Sequence, residues 1–390
     1  MNKSTKACFL LPIVSFMVLP SVSGSIMIQE KTDYHLQFSK SDAWNYLEDL
    51  MAFNPRYPGT PGINQTAEYI KDVLGNHGAT VFEHDFQVST VDCKNIIGKW
   101  TNNPNATQDV IILASHYDAR ALADNDPDVG KRTQPVPAAN DGGSSTAALL
   151  ELSGIIEGLY NNIAFGLAKE TWLVFFDAED QGGGGMPGFY WIEGSTKLAA
   201  DIDTFLAAGA DIEMFILLDM IGDDDLSINQ ELNSNQDLLT QFFGMGQCLG
   251  YSSYFSTYPS SVNLIDDHKP FKDLGIPSID IIDFNYPEWH TTTDDLDHVS
   301  SDSIGGVGRV AEAFYLRYIF PNSSLAIHDD ETGKIWEEGS CSYASWYMEF
   351  IAFLSSYWMF LVFGVLVLVV GVYAWKKKKR KRKLGEGEEE

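Results

Sequence analysis

Cysteine is scarce in this 390-residue chain, which holds only Cys8, Cys93, Cys248 and Cys341. None belongs to a CxxC pair, so nothing points to a thiolate zinc site, and so sparse a set is no disulfide framework. Three remain once Cys8 leaves with a leader; one bridge is possible, and whether Cys93 and Cys248 pair is left open. Basic residues are few as well. Lys and Arg number 26 against 54 Asp and Glu, a formal charge of -28, and such a surface repels phosphate backbones. No nucleic-acid partner is expected. Internal repeats are also missing, which excludes a solenoid. What is present is an apolar fraction of 45%, enough for the core of one large or two ordinary domains.

The two ends of the chain carry the long apolar runs. Residues 1–24 place Lys3 and Lys6 ahead of an apolar stretch and small residues, the layout of a signal peptide. Within residues 349–375 the run from Phe350 to Trp375 carries no charge and has aromatic residues at both edges, and "KKKKRKRK" follows at once. That pattern predicts a single C-terminal transmembrane helix with its basic side in the cytoplasm. The expectation is therefore a single-pass type I protein of the cell membrane, its outer domain extracytoplasmic. Residues 326–348 read as a juxtamembrane spacer, and the basic then acidic tail 376–390 as cytoplasmic and touching membrane lipid.

Between the ends, four buried strands are expected: "DVIILASHYD" (109–118), "TWLVFFDAED" (171–180), "MFILLDMIGD" (214–223) and "PSIDIIDF" (277–284). Helical stretches separate most of them, which predicts a largely parallel sheet covered on both faces. Ligands in such sheets bind beyond the carboxyl ends of the strands. The first strand ends on His116 and Asp118, the second on Glu179 and Asp180, and the third contains Asp219. Asp141 lies just ahead of a helix, and His290 follows the fourth strand. Imidazole nitrogen and carboxylate oxygen are the donors that suit zinc. Asp118 then reads as the partner that fixes the tautomer of His116.

The segments "NPRYPGTPG", "LASHYDA", "ANDGGSSTAALLELS", "FFDAED", "LLDMIGD", "DDHKPFKDLGIPS" and "EWHTTTDD" follow one another in order. Through them, from about Trp44 to Phe320, the chain resembles the MH-clan zinc exopeptidases, the family of bacterial leucyl aminopeptidase, aminopeptidase Y and the glutaminyl cyclases. The resemblance implies a three-layer αβα fold around a central mixed, mostly parallel sheet, and a catalytic domain over residues 25–325. It implies one or two zinc ions. Asp141 would bridge two metals, Asp180 and His290 would complete one site, and His116 and Asp219 the other. Glu179 would be the general base. Asp180 stands where many members have Glu.

Two chemistries share this framework. The resemblance puts aminopeptidase-type hydrolysis of peptide N-termini, by metal-activated water, ahead of glutaminyl-peptide cyclisation with ammonia release. A non-catalytic peptide-binding ectodomain is the third reading. Trp289 before His290, and Asp266 at the head of "DDHKPF", resemble the cyclases; Asp266 would then support catalysis, with Trp289 and Tyr286 touching substrate. In animal cyclases a tryptophan closely follows the paired acids. Here "QGGGGMPG" fills that place, and Trp191 stands further on.

Overall fold

The computed structural model describes residues 32–343, apart from 104–106, 163–164, 258–259, 321–324 and 338. The chain runs through β1 (Thr32–His35), α1 (Lys40–Met51), α2 (Pro61–Asn76), β2 (Thr80–Val88), β3 (Val91–Trp100) and β4 (Val110–His116). It continues with α3 (Ser145–Asn161), β5 (Glu170–Phe176), α4 (Glu193–Asp201), β6 (Ile212–Asp219), β7 (Gln230–Glu231) and α5 (Gln236–Cys248). Then come β8 (Ser261–Val262), α6 (His268–Asp273), β9 (Ser278–Ile282), α7 (Ser301–Ile319), β10 (Leu325–Asp329), β11 (Lys334–Glu337) and β12 (Ser340–Tyr343).

Six strands form the central sheet in the order β2-β3-β5-β4-β6-β9. The inner pairs β5–β4, β4–β6 and β6–β9 are parallel, whereas β2–β3 and β3–β5 are antiparallel. The fold is thus mixed α/β. Because strand side chains alternate, β4 sends Ile111 and Leu113 into one core, and Val110, Ile112 and Ala114 into the other. The first core is closed by α1, α2, α3, α5 and α7, and the second by α4 and α6. Burial on both faces is what makes these strands read as continuous apolar runs.

Capping chemistry fixes the entry to two helices. Ser39 caps α1 by accepting from Asp42 N–H, and Thr60 caps α2 with Pro61 at its first position. Between them the buried Arg56 donates to the carbonyls of Pro137 (3.3 Å) and Ala138 (2.8 Å), which braces the loop leading to Asp141.

A smaller four-stranded sheet, β1-β10-β11-β12, joins the two ends of the described chain. Residues that read as a spacer therefore carry strands. A disulfide between Cys248 and Cys341 fastens β12 to the end of α5, while Cys93 is buried outside any disulfide.

The expected transmembrane helix, and with it the single-pass placement at the cell membrane, is corrected. No helix among the described residues is long and apolar enough to cross a membrane. The longest, α7, has 19 residues but carries Asp302, Arg309, Glu312 and Arg317 and packs within the core. The stretch 349–375, the leader 1–24 and the basic tail all lie outside the described residues.

Candidate active site

The carboxyl ends of the parallel strands meet at one cavity of about 330 Å³. β4 delivers His116, the turn after β5 delivers Glu179 and Asp180, and β6 delivers Asp219. Asp141 comes from the irregular turn before α3, where the next residue, Gly142, has φ +79°. A Cβ on Gly142 would lie 2.7 Å from His116 Cε1, so only glycine lets this turn close over the imidazole. Backbone strain gathers here too. Of the six positive-φ non-glycine residues among those described, Ala138, Ala178, Ile192, Met220 and His290 are site residues or lie within three positions of one; Ser89 is the exception. Such conformations cost about 1–3 kcal/mol each and persist where surrounding packing enforces them.

Two three-residue sets result, sharing Asp141: His116, Asp141 and Asp219, and Asp141, Asp180 and His290. His116 Nε2 lies 3.1 Å from Asp141 Oδ1 and 3.2 Å from Asp219 Oδ1. His290 Nε2 lies 2.9 Å from Asp180 Oδ1 and 3.7 Å from Asp141 Oδ2. All five side chains are buried. Asp141 Oδ2 and Asp180 Oδ2 have no hydrogen-bond partner, an arrangement that costs free energy unless a cation is bound. Buried imidazole and carboxylate donors with unpartnered oxygens fit a divalent metal, and zinc suits the set.

The electrostatics agree. Burial and the charges of Asp180, Asp267 and Asp266 outweigh His116 and push the Glu179 carboxyl well above its usual range. Burial would lower His290, but Asp180, Asp124 and Asp141 together raise it to about 9. Burial, with the charges of Asp219 and others, raises Asp266 to about 7. A pocket so crowded with like charge holds protons or cations.

The remaining residues expected from the sequence take distinct places. Asp118 lies 3.5 Å from His116 Nδ1, but its main role is to accept from Glu179 N–H (3.0 Å), Asp180 N–H (3.3 Å) and Gln181 Nε2 (2.9 Å). It holds the acid-bearing turn. Asp266 and Trp289 line the cavity. Tyr286 does not; its hydroxyl donates to Asp294 (3.0 Å), which accepts from Asn140 and Asp141 N–H. Tyr286 thus supports Asp141 from behind.

Trp191 also lines the cavity, its ring stacked on His290 at 5.8 Å and 14°. Trp289 stacks on His290 as well, with ring centroids 3.7 Å apart. The glycine run explains how Trp191 gets there: a Cβ on Gly182 would enter the indole, and one on Gly183 would sit 3.0 Å from it. Sequence reasoning missed Arg120 and Asp124, whose signal was an Arg and an Asp four apart directly after "SHYD".

Comparisons with known proteins agree with this geometry. Residues 95–315 match the profile of peptidase family M28. A glutaminyl-peptide cyclotransferase of Gloydius blomhoffii is 27% identical over 303 residues, covering 68% of this chain and 77% of its own. The crystal structure of Porphyromonas gingivalis glutaminyl cyclase superposes with a TM-score of 0.65 at 28% identity, over 72% of this chain and 99% of its own. A Zn-dependent exopeptidase from Parabacteroides distasonis gives 0.63 at 28% identity, over 73% and 98%.

Proposed function

Because the chain belongs to peptidase family M28, as an enzyme of the zinc metallo-exopeptidase or glutaminyl-peptide cyclotransferase kind, we propose that it is a glutaminyl-peptide cyclotransferase. The observation that carries this reading is the aromatic slot. Trp191 and Trp289 flank His290 beside Glu179, with Phe284 and Leu264 completing an apolar wall. At about 330 Å³ the cavity is near the lower end of the roughly 300–1,000 Å³ usual for ligand sites. It suits one flat side-chain amide better than an open peptide.

In this reading Asp141, Asp180 and His290 hold a single zinc ion, which when bound polarises the side-chain amide carbonyl of an N-terminal glutamine. The α-nitrogen attacks the amide carbon of the same residue. Glu179 takes one proton from the α-nitrogen and hands it to the departing amide nitrogen. The new N–C bond closes the pyroglutamate ring as the old one breaks, and ammonia leaves. A carboxyl held above its usual range is suited to carry a proton both ways. Asp266 lines the same cavity as Asp219, and the two charges repel; in this reading that crowding would keep Asp219 from serving a second metal.

Aminopeptidase hydrolysis is the second reading, favoured by the two complete sets that share Asp141. An ammonia assay with zinc-loaded protein separates them. Ammonia should appear with peptides beginning in Gln, cease on chelation and return with zinc. Free amino acid released from Leu-initiated peptides would favour hydrolysis instead.

A further inference from the structure

Arg120 follows β4 by four residues, and its side chain is only 1% exposed. Its guanidinium grips Asp124 with two hydrogen bonds, Nε to Oδ1 at 2.8 Å and Nη2 to Oδ2 at 2.6 Å. Nη1 donates to the Asp180 carbonyl at 2.9 Å and lies 3.5 Å from Asp180 Oδ1. The guanidinium carbon stands 4.8 Å from the ring centroid of Trp191, a cation–π distance. Asp124 in turn faces His290 Nδ1 at 3.5 Å, while His290 Nε2 faces Asp180. A Cβ on Gly185 would come within 3.0 Å of Arg120 Nη1, so the glycine loop folds tightly around the same group.

The geometry points to Arg120 as a positioning residue that sets two things at once. Through Asp124 it fixes which nitrogen of His290 faces the metal set, and through its flat face it fixes the tryptophan wall of the slot. This rests on the reading of the cavity as a peptide-binding metal site, whichever reaction runs there. Metal affinity and the grip on the first residue of the peptide are then tied to one side chain. Lysine cannot replace it, because a point ammonium offers neither a two-pronged donor nor a face to stack.

The test uses the full chain with Arg120→Lys, Asp124→Asn and Trp191→Leu, alone and combined. Zinc affinity is read by chelator competition, without turnover. Partners that orient a metal-ligating histidine typically change affinity by about 10–100-fold, and Arg120→Lys and Asp124→Asn should each lose affinity in that range. For Gln-initiated peptides, Arg120→Lys should raise KM more than it lowers kcat. That rise should vanish when Trp191→Leu is already present, whereas a general loss of structure would be the same in both backgrounds. Unchanged zinc affinity in Arg120→Lys and Asp124→Asn would overturn the proposal, as would a KM effect indifferent to Trp191. If Arg120→Lys does not fold, Asp124→Asn decides through its zinc affinity. If no peptide is turned over, the zinc measurements still decide this inference while the cyclase reading fails.

Discussion

Around Asp180 and His290 stand a buried arginine and two indoles, whereas around His116 and Asp219 stand Asp118, Asp266 and Asp267. Both halves offer a histidine and a carboxylate and share Asp141, so first neighbours do not distinguish them. Their surroundings do. Asp124 faces His290, and Arg120 offsets part of the charge around Asp180, whose carboxyl burial and Asp141 still raise to about 6. On the other side, burial and the charges of Asp141 and Asp180 raise Asp219 despite His116, in a region where carboxyls cannot all ionise together. In the reading proposed above, neighbouring groups, more than ligand count, would set which half binds.

The largest effect is expected at the group between the halves. Glu179→Gln should lower kcat by about 10³-fold while zinc content stays unchanged, measured by steady-state kinetics and metal analysis. Next, the halves should respond unequally to loss of a ligand. Asp180→Ala or His290→Ala should yield protein without tightly bound zinc, whereas His116→Ala should retain its single ion. Equal losses would erase the distinction drawn here. Asp266→Ala should then sharpen it: with the neighbouring acid gone, zinc per chain should rise from one toward two.

The smallest effect concerns a carboxyl outside both halves. Glu312 is buried, and burial raises it from its usual 4.5 to about 7 although hydrogen bonds from the N–H groups of Gln37 and Phe38 pull it down. A raised acid stabilises the fold fully below about 4.5 and loses that contribution as pH rises through about 7, by at most about 3 kcal/mol. Denaturant titrations of Glu312→Gln should therefore show a flatter stability profile across that window.

Much of this was legible in the sequence, for physical reasons. The parallel strands β4, β5, β6 and β9 are buried on both faces, so they are largely apolar, interrupted inside by Glu213 in β6 and Asp280 in β9, and the acids and histidines near their ends stand out. The hairpin β2–β3 was not read. β2 lies at the sheet edge with most residues exposed or half-buried, and its turn at Ser89 lacks the usual glycine signal. Strands β10–β12 are short, and their place in a sheet depends on pairing with β1 from the far end of the chain. Tyr286 was expected at the substrate; its side chain turns inward to Asp294. The Arg120–Asp124–His290 link crosses most of the domain, and no local pattern announces it.

The glycine run shows the same limit. As sequence it stood where a pocket wall was expected, and only the packing of Trp191 onto Gly182 and Gly183 reveals that the loop yields space to a wall supplied nine positions further on.

The most direct measurement offers the zinc-loaded protein one peptide that begins Gln-Leu and weighs the products. The account predicts a full-length product lighter by one ammonia, with no free amino acid. Release of free glutamine with the shortened Leu-initiated peptide would contradict it.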